Sequence, residues 1–185
     1  AMDVPMVSYR ADSEDFGRAH RFPLTAKIIA DENAYAAALL DYLVNARQRN
    51  YITFLYHQEL TAVADVMALA VQHLNARNRQ PTEFASEAFS PSDGNLLEVL
   101  TKIRKGKYKT IIVALTRRKQ WDELFDVADQ AGMTDPRENY VWISHDKTNL
   151  DMLTRDSQPT RDGPSETVSL KQAKLLNGMG MLRVL

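Results

Sequence analysis

Few residues have the type and spacing needed for covalent chemistry. The chain has no Cys, and its four His residues show neither an HExxH motif nor paired metal-ligand spacing. His57 follows an apolar segment and could act as an acid, a base or a ligand donor, and Asp146 follows another such segment. If these two residues act as an acid/base pair, the chain could be a small α/β enzyme, a hydrolase or transferase. The sequence contains no nucleophile elbow for such an enzyme.

Other polar residues suit the binding of a small ligand. Asp12 and Ser13 follow the first predicted strand and could hold an ammonium or hydroxyl group, or they could simply form a turn. The segments 57–61 and 116–119 contain no glycine, which argues against a phosphate-binding loop or a dinucleotide fingerprint. We therefore expect no cofactor and no metal, and no catalytic residue is assigned.

A basic cluster, Arg117, Arg118 and Lys119, begins a predicted helix, the end of a helix that disfavours cations. The cluster could face an anionic group of a ligand or partner, or it could be a solvated surface. It also leaves open a third class of protein, a cytoplasmic interaction domain that uses the cluster as its contact patch.

Composition is that of a globular domain. The 185 residues are 44% hydrophobic and 25% charged, and the net charge of -1 provides no positive field for nucleic acid, which we exclude as a partner. No stretch approaches the roughly 20 apolar residues of a membrane span. Contact with a membrane is therefore expected only through segments outside this chain.

Hydrophobic periodicity predicts strands that alternate with helices. Strands are predicted at 4–9, 22–29, 51–56, 82–89, 111–115 and 140–143. The helices between them carry apolar stripes, with Gly106 and Gly132 expected just beyond two helix ends. The predicted stripes are Tyr35, Leu39, Tyr42, Leu43 and Ala46; then Val63, Val66, Met67, Ala70 and Leu74; then Leu96, Leu97, Leu100 and Ile103; then Trp121, Leu124, Phe125 and Ala128.

This alternation predicts an α/β fold of three layers, with a mainly parallel sheet flanked by helices, over residues 22–146. Residues 147–169 are rich in Asp, Ser, Thr, Pro and Gly, so we expect a flexible loop. Residues 170–185 become apolar again and are expected to form a short helix and strand.

The ordered motifs resemble a known family. They are VPMVSY at 4–9, NYITFLY at 50–56, IRKGKYKTIIVAL at 103–115, AGM at 131–133 and YVWISHD at 140–146. Together they resemble the ligand-binding region shared by natriuretic peptide receptors, metabotropic glutamate receptors and bacterial amino-acid-binding proteins. The resemblance implies a periplasmic-binding-protein-like fold of two lobes that close on a small ligand, with this chain as a fragment of the second lobe.

The resemblance also implies an organisation. Residues 1–21 would cross from a missing first lobe of the same receptor, 22–146 would form the ligand-binding lobe, and 170–185 would return towards the hinge. The full protein would be membrane-anchored, with this module on the extracellular side as a sensory domain rather than an enzyme, and a homodimer is compatible with the family.

Ligand contacts implied by the resemblance fall on Asp12, Glu32, Thr61 and Asp146, to which Ser13 and His57 are added from the reading of the loops. Asp12 stands where the family usually has Thr, and Thr61 where it usually has Tyr. An added carboxylate near the cleft repels a ligand carboxylate, so these differences favour a cationic ligand over an α-amino acid.

Overall fold

The computed structural model describes residues 6–8, 25–27, 32–78, 81–90 and 94–145. The chain divides into two compact units, one taking in 1–50 and 65–82 and the other 51–64 and 83–185. The predicted segments 147–169 and 170–185 lie outside the described residues.

The first unit contains a small parallel sheet. Strand β1, Met6–Ser8, pairs with β2, Thr25–Lys27, in a register that sets Met6 opposite Thr25. Both strands lie within the predicted segments 4–9 and 22–29. The second of these was expected to join the large sheet, and this was wrong, because β2 pairs with β1 in a separate sheet.

Helix α1, Glu32–Asp41, continues into a π-helical turn, Tyr42–Ala46. Leu39 and Leu43 are buried as predicted, whereas Tyr42 and Ala46 are exposed and Val44 is buried instead. A π-turn holds more residues than the 3.6 of an α-helix, so the stripe predicted from α-helical spacing loses its register at this point.

The second unit contains a four-stranded sheet in which all strands are parallel. Its strands are β3, Tyr51–His57; β4, Glu83–Phe89; β5, Thr110–Ala114; and β6, Val141–Ser144. Their spatial order is β4-β3-β5-β6, with Leu55 of β3 opposite Val113 of β5. The β5 side chains are all buried, as expected for a central strand covered on both faces.

Three helices alternate with these strands: α2, Thr61–Arg77; α3, Leu96–Lys105; and α4, Arg118–Gln130. Short 3-10 turns occupy Gln58–Leu60 and Pro136–Glu138. The side chains of α3 and α4 share one buried cluster with the sheet, including Leu55, Ile111, Val113, Leu100, Ile103, Trp121, Phe125 and Trp142. This parallel sheet flanked by helices confirms the predicted α/β fold.

The helical stripes are confirmed in part. All four predicted α4 residues are buried. In α3, Leu97 is exposed and Val99 takes its place in the core. In α2, Met67 and Leu74 are buried as predicted, while the predicted Val63, Val66 and Ala70 are only half-buried. Ala64 and Val71 are buried in their place. The α2 sequence is apolar on several sides, and its spacing does not single out the buried side.

The two glycines behave differently. Gly132 has φ +69, and the N–H of Met133 donates to the carbonyl of Ala128, which closes α4 as predicted. Gly106 follows the last residue of α3, Lys105, as predicted, but it is the C-cap with an extended backbone, φ -84, and not the predicted C′ residue.

Candidate functional site

The strand order creates a switch point at the carboxyl edge of the large sheet. From β3 the chain crosses to β4 on one side, and after β4 it returns to β5 on the other side of β3. The segments that follow β3 and β5 therefore lead in opposite directions, and open α/β sheets bind their ligands at such a switch point. Residues 57–61 and 115–118 lie at this switch point.

His57 ends β3 and is almost wholly buried, with 6% exposure. Its Nδ1 accepts a hydrogen bond from the backbone N–H of Glu59 at 3.3 Å, and its ring meets the Phe89 ring edge-on, with centroids 5.8 Å apart. In the neutral form that accepts this bond, the imidazole carries its proton on Nε2, so the backbone of the loop favours this tautomer of the neutral ring.

Glu59 places a carboxylate between two basic groups. Its Oε2 lies 3.4 Å from Nδ1 of His57 and 3.6 Å from Nη2 of Arg117. The side chains of Glu59 and Arg117 are 53% and 70% exposed. A pair this open to water contributes little to stability, so a solute can exchange with either partner at small cost.

Gln120 braces the segment after β5. Its Oε1 accepts hydrogen bonds from the backbone N–H groups of Thr116 and Arg117, each at 3.0 Å, and the side chain is buried. These two N–H groups belong to the start of α4, where donors lack partners within the helix. Gln120 therefore holds the backbone that carries Arg117 beside β3.

Two further segments reach the same edge. Thr61 begins α2, and its Oγ1 donates to the carbonyl of Gln58 at 2.9 Å. After β4, the N–H of Ser90 donates to Oδ1 of Asn95 at 3.1 Å. Both contacts satisfy turn backbone. The Thr61 side chain is exposed, whereas Ser90 is buried.

The predicted binding residues have different outcomes. His57 and Thr61 lie four residues apart on one segment of the carboxyl edge. Glu32 is the first residue of α1, in the other unit. Asp12, Ser13 and Asp146 lie outside the described residues, so their roles stay predictions.

Glu59 and Gln120 were not singled out from the sequence. Both are polar residues within a few positions of a buried strand end, and that position was the available signal. The Glu59–Arg117 contact, however, follows from the pairing of β3 with β5, which brings residues about 60 positions apart in the chain next to each other. Gln120 instead bonds residues three and four positions before it.

The enzyme alternative gains no support from this arrangement. Asp146 lies outside the described residues, so the His57–Asp146 pair stays a prediction from the sequence. Within the described ranges, no three His, Asp or Glu side chains gather as a metal site.

An open, parallel α/β sheet with polar side chains at its switch point is typical of a class of protein that binds ligands at the carboxyl edge. The model of the receptor family ligand binding region matches residues 1–183, so the chain belongs to this family. Members are typically extracellular parts of membrane receptors, and the family indicates a ligand-binding region. No curated protein matches the chain. None of the helices in the described part of the chain has the length and apolar character to cross a membrane.

Proposed function

We propose that this chain is a sensory module of a membrane receptor and binds a small zwitterionic ligand at the switch point between β3 and β5. The observation that carries the proposal is the Glu59–Arg117 pair, an exposed carboxylate and an exposed guanidinium 3.6 Å apart at the switch point. A ligand with an ammonium and a carboxylate can replace this internal pair by two ion pairs of its own. Because Arg117 offers a partner for a ligand carboxylate, the proposal replaces the expectation of a purely cationic ligand that rested on Asp12 and Thr61.

The two partners differ in how they would hold the ligand. Arg117 offers a planar fork of donors suited to a carboxylate, and Gln120 holds its backbone in place. Glu59 offers acceptors for an ammonium. The proton on Nε2 of the buried His57 gives a third, directional contact, because the Glu59 N–H fixes the other nitrogen.

The remaining predicted contacts complete the proposal. Thr61 supplies a hydroxyl on the same edge, and Asp12, Ser13, Glu32 and Asp146 are proposed as ligand contacts through the family resemblance. A first lobe of the same receptor would cover the switch point, and ligand would favour the closed arrangement of the lobes. The module would lie on the extracellular side of the membrane.

Calorimetry of the full chain against three solute classes tests the proposal. The classes are amino acids, primary amines without a carboxylate and carboxylic acids without an amine. We expect saturable binding to be strongest for a zwitterion. Glu59→Gln should weaken it about tenfold through the ammonium, and Arg117→Gln about tenfold through the carboxylate.

Two control variants separate the effect of the Glu59 and Arg117 contacts from the effect of changing the net charge of the chain. Glu98→Gln and Lys105→Gln change exposed charges on α3 and should leave affinity unchanged. Equal effects of all four variants, or equal binding of the three solute classes, would remove the Glu59–Arg117 pair from the site.

A further inference from the structure

A titratable side chain is buried at the proposed ligand site. His57 is the last residue of β3, with 6% exposure, and its ring meets Phe89 edge-on. Histidine gains or loses a proton between about pH 5 and 8. A buried imidazolium is stable only where hydrogen-bond acceptors or a negative charge compensate it. The groups around His57 therefore decide what the uptake of a proton does to this site.

Nδ1 of His57 faces two groups that require opposite protonation states. The backbone N–H of Glu59, 3.3 Å away, needs a lone pair on Nδ1, whereas the carboxylate Oε2 of Glu59, 3.4 Å away, needs a proton there. A protonated ring has an N–H group at both nitrogens and cannot accept. Proton uptake therefore ends the hydrogen bond from the backbone and allows a charge-assisted bond to the carboxylate.

The same carboxylate also faces a cation. Oε2 of Glu59 lies 3.6 Å from Nη2 of Arg117, at the start of α4. Both side chains are more than half exposed, so water screens this pair and little free energy opposes its exchange for another partner. β4 presents the uncharged ring of Phe89 to His57. In the described part of the chain, the charges that face the imidazole are the anion of Glu59 and, beyond it, the cation of Arg117.

We propose that His57 is a proton switch for the ligand site: proton uptake draws the Glu59 carboxylate onto Nδ1 and releases the bound zwitterion. This inference rests on the proposed function, in which the Glu59 carboxylate is the partner of the ligand ammonium. The neutral ring leaves that carboxylate available to the ammonium. The protonated ring occupies the carboxylate and adds a positive charge that repels the ammonium. Binding is therefore tight above the pH range of histidine protonation and weakens as the pH falls through it.

A pH titration of the isotope-labelled full chain without ligand tests the exchange of partners. The signals to follow between about pH 5 and 8 are those of the His57 ring, the Glu59 amide and the Arg117 guanidinium. We expect all three to change with one common midpoint, because one proton moves the Glu59 carboxylate from one partner to the other. A Glu59 or Arg117 signal that stays constant while His57 titrates would overturn the proposal.

Three variants make this titration specific. His57→Gln keeps an oxygen that can accept the Glu59 N–H but takes up no proton, so the Glu59 and Arg117 signals should stay constant. Glu59→Gln removes the carboxylate, so the Arg117 signal should no longer follow His57. His73→Gln removes an exposed histidine of α2 and should leave the common midpoint unchanged. A Glu59 response that persists in His57→Gln would come from another group and would overturn the proposal.

Calorimetry with the amino acid that binds most tightly tests the consequence for the ligand. Affinity should be at least about tenfold lower at about pH 5.5 than at about pH 7.5. A ligand that prefers the neutral ring lowers the proton affinity of that ring by the same factor, so binding should release protons to the buffer. Both effects should vanish in His57→Gln.

The outcomes separate the switch from the site. Equal affinity at the two pH values would leave the ligand site in place and overturn the switch. Absence of binding at either pH would overturn the proposed function, and the titration without ligand would still decide the exchange of partners at His57.

Discussion

Asn75 hydrogen-bonds both backbone groups of Thr82. Its Oδ1 accepts the N–H of Thr82 at 2.7 Å, and its Nδ2 donates to the carbonyl of Thr82 at 3.0 Å. The side-chain amide thus pairs with a peptide as a neighbouring strand does. Thr82 is buried just before β4, so this pairing satisfies its backbone where the chain leaves α2 for the edge strand.

We expect Asn75→Ala to lower the free energy of unfolding by about 1 to 3 kcal/mol, because two buried backbone groups lose their partner. Urea denaturation measures this change. Asn78→Ala is the control, since its amide makes one exposed contact of 3.4 Å with Asn45, and it should change stability by less than about 0.5 kcal/mol. Similar losses of unfolding free energy for the two variants would show that the Asn75–Thr82 hydrogen bonds stabilise the fold no more than the exposed Asn78 contact does.

Gln120 should matter for both stability and binding. Gln120→Ala leaves two N–H groups at the start of α4 without their acceptor, and we expect it to lower stability by about 1 to 3 kcal/mol. It should also weaken ligand binding, since Arg117 loses its backbone brace. Gln130→Ala removes an exposed Gln at the other end of α4 and should affect neither. Normal affinity in a folded Gln120→Ala chain would show that the brace is not needed for binding.

Because of Lys109, the free energy of unfolding should vary with pH in the alkaline range. Burial lowers the pKa of Lys109, but contacts with Tyr140 and Glu138 raise it more, so its pKa lies above the ordinary value of 10.5. Its Nζ lies 4.0 Å from the Tyr140 ring centroid and 3.2 Å from Oε2 of Glu138. A raised pKa in the folded state gives a stabilising contribution that is present below 10.5 and is lost as pH rises through the folded-state pKa.

Lys109→Met should therefore cost about 1 kcal/mol at neutral pH, an amount limited by solvent screening because 37% of the side chain is exposed. The cost should vanish in strongly alkaline solution. Denaturation at several pH values measures it, with Lys105→Met as the exposed control. A cost that stays constant into strongly alkaline solution would assign the effect to packing rather than charge.

Both the backbone conformation at position 132 and the neighbouring Arg104 side chain favour glycine there. The φ of +69 at Gly132 disfavours other residues, and a Cβ there would lie 3.3 Å from Nη1 of Arg104, which donates to the carbonyl of Ala131. Gly94 has a similar φ of +61 but open space around its Cβ position. Gly132→Ala should thus lower the melting temperature more than Gly94→Ala, which carries only the backbone strain of about 1 kcal/mol. Equal shifts would show that Arg104 moves aside freely.

The sequence predicted the large sheet well because its central strands are apolar throughout. Segments such as 51–56 and 111–115 consist mostly of apolar residues, so they are stable only where helices or other strands bury them. The errors fell on helix faces, on the role of Gly106 and on the strand at 22–29, which pairs outside the large sheet. The π-turn after α1 turned Tyr42 outwards, and the broadly apolar α2 left the choice of its buried side to the packing around it.

The candidate site was predictable in position but not in its contacts. Ligands bind at the carboxyl edge of an open parallel sheet, so His57 and Thr61 could be chosen because they follow the end of a predicted strand. The approach of Glu59 to Arg117 depends instead on the order β4-β3-β5-β6. Periodicity within one strand carries no information about which strand lies next to it.

Amide chemical shifts of the isotope-labelled full chain, titrated with the amino acid that binds most tightly by calorimetry, test the central claim most directly. We expect saturable shifts in residues 57–61 and 115–120, at the carboxyl edge of β3 and β5. Shifts confined to the amino edge, in residues 106–109 and 138–140, or no saturable shift for any zwitterion, would contradict a ligand site at the switch point.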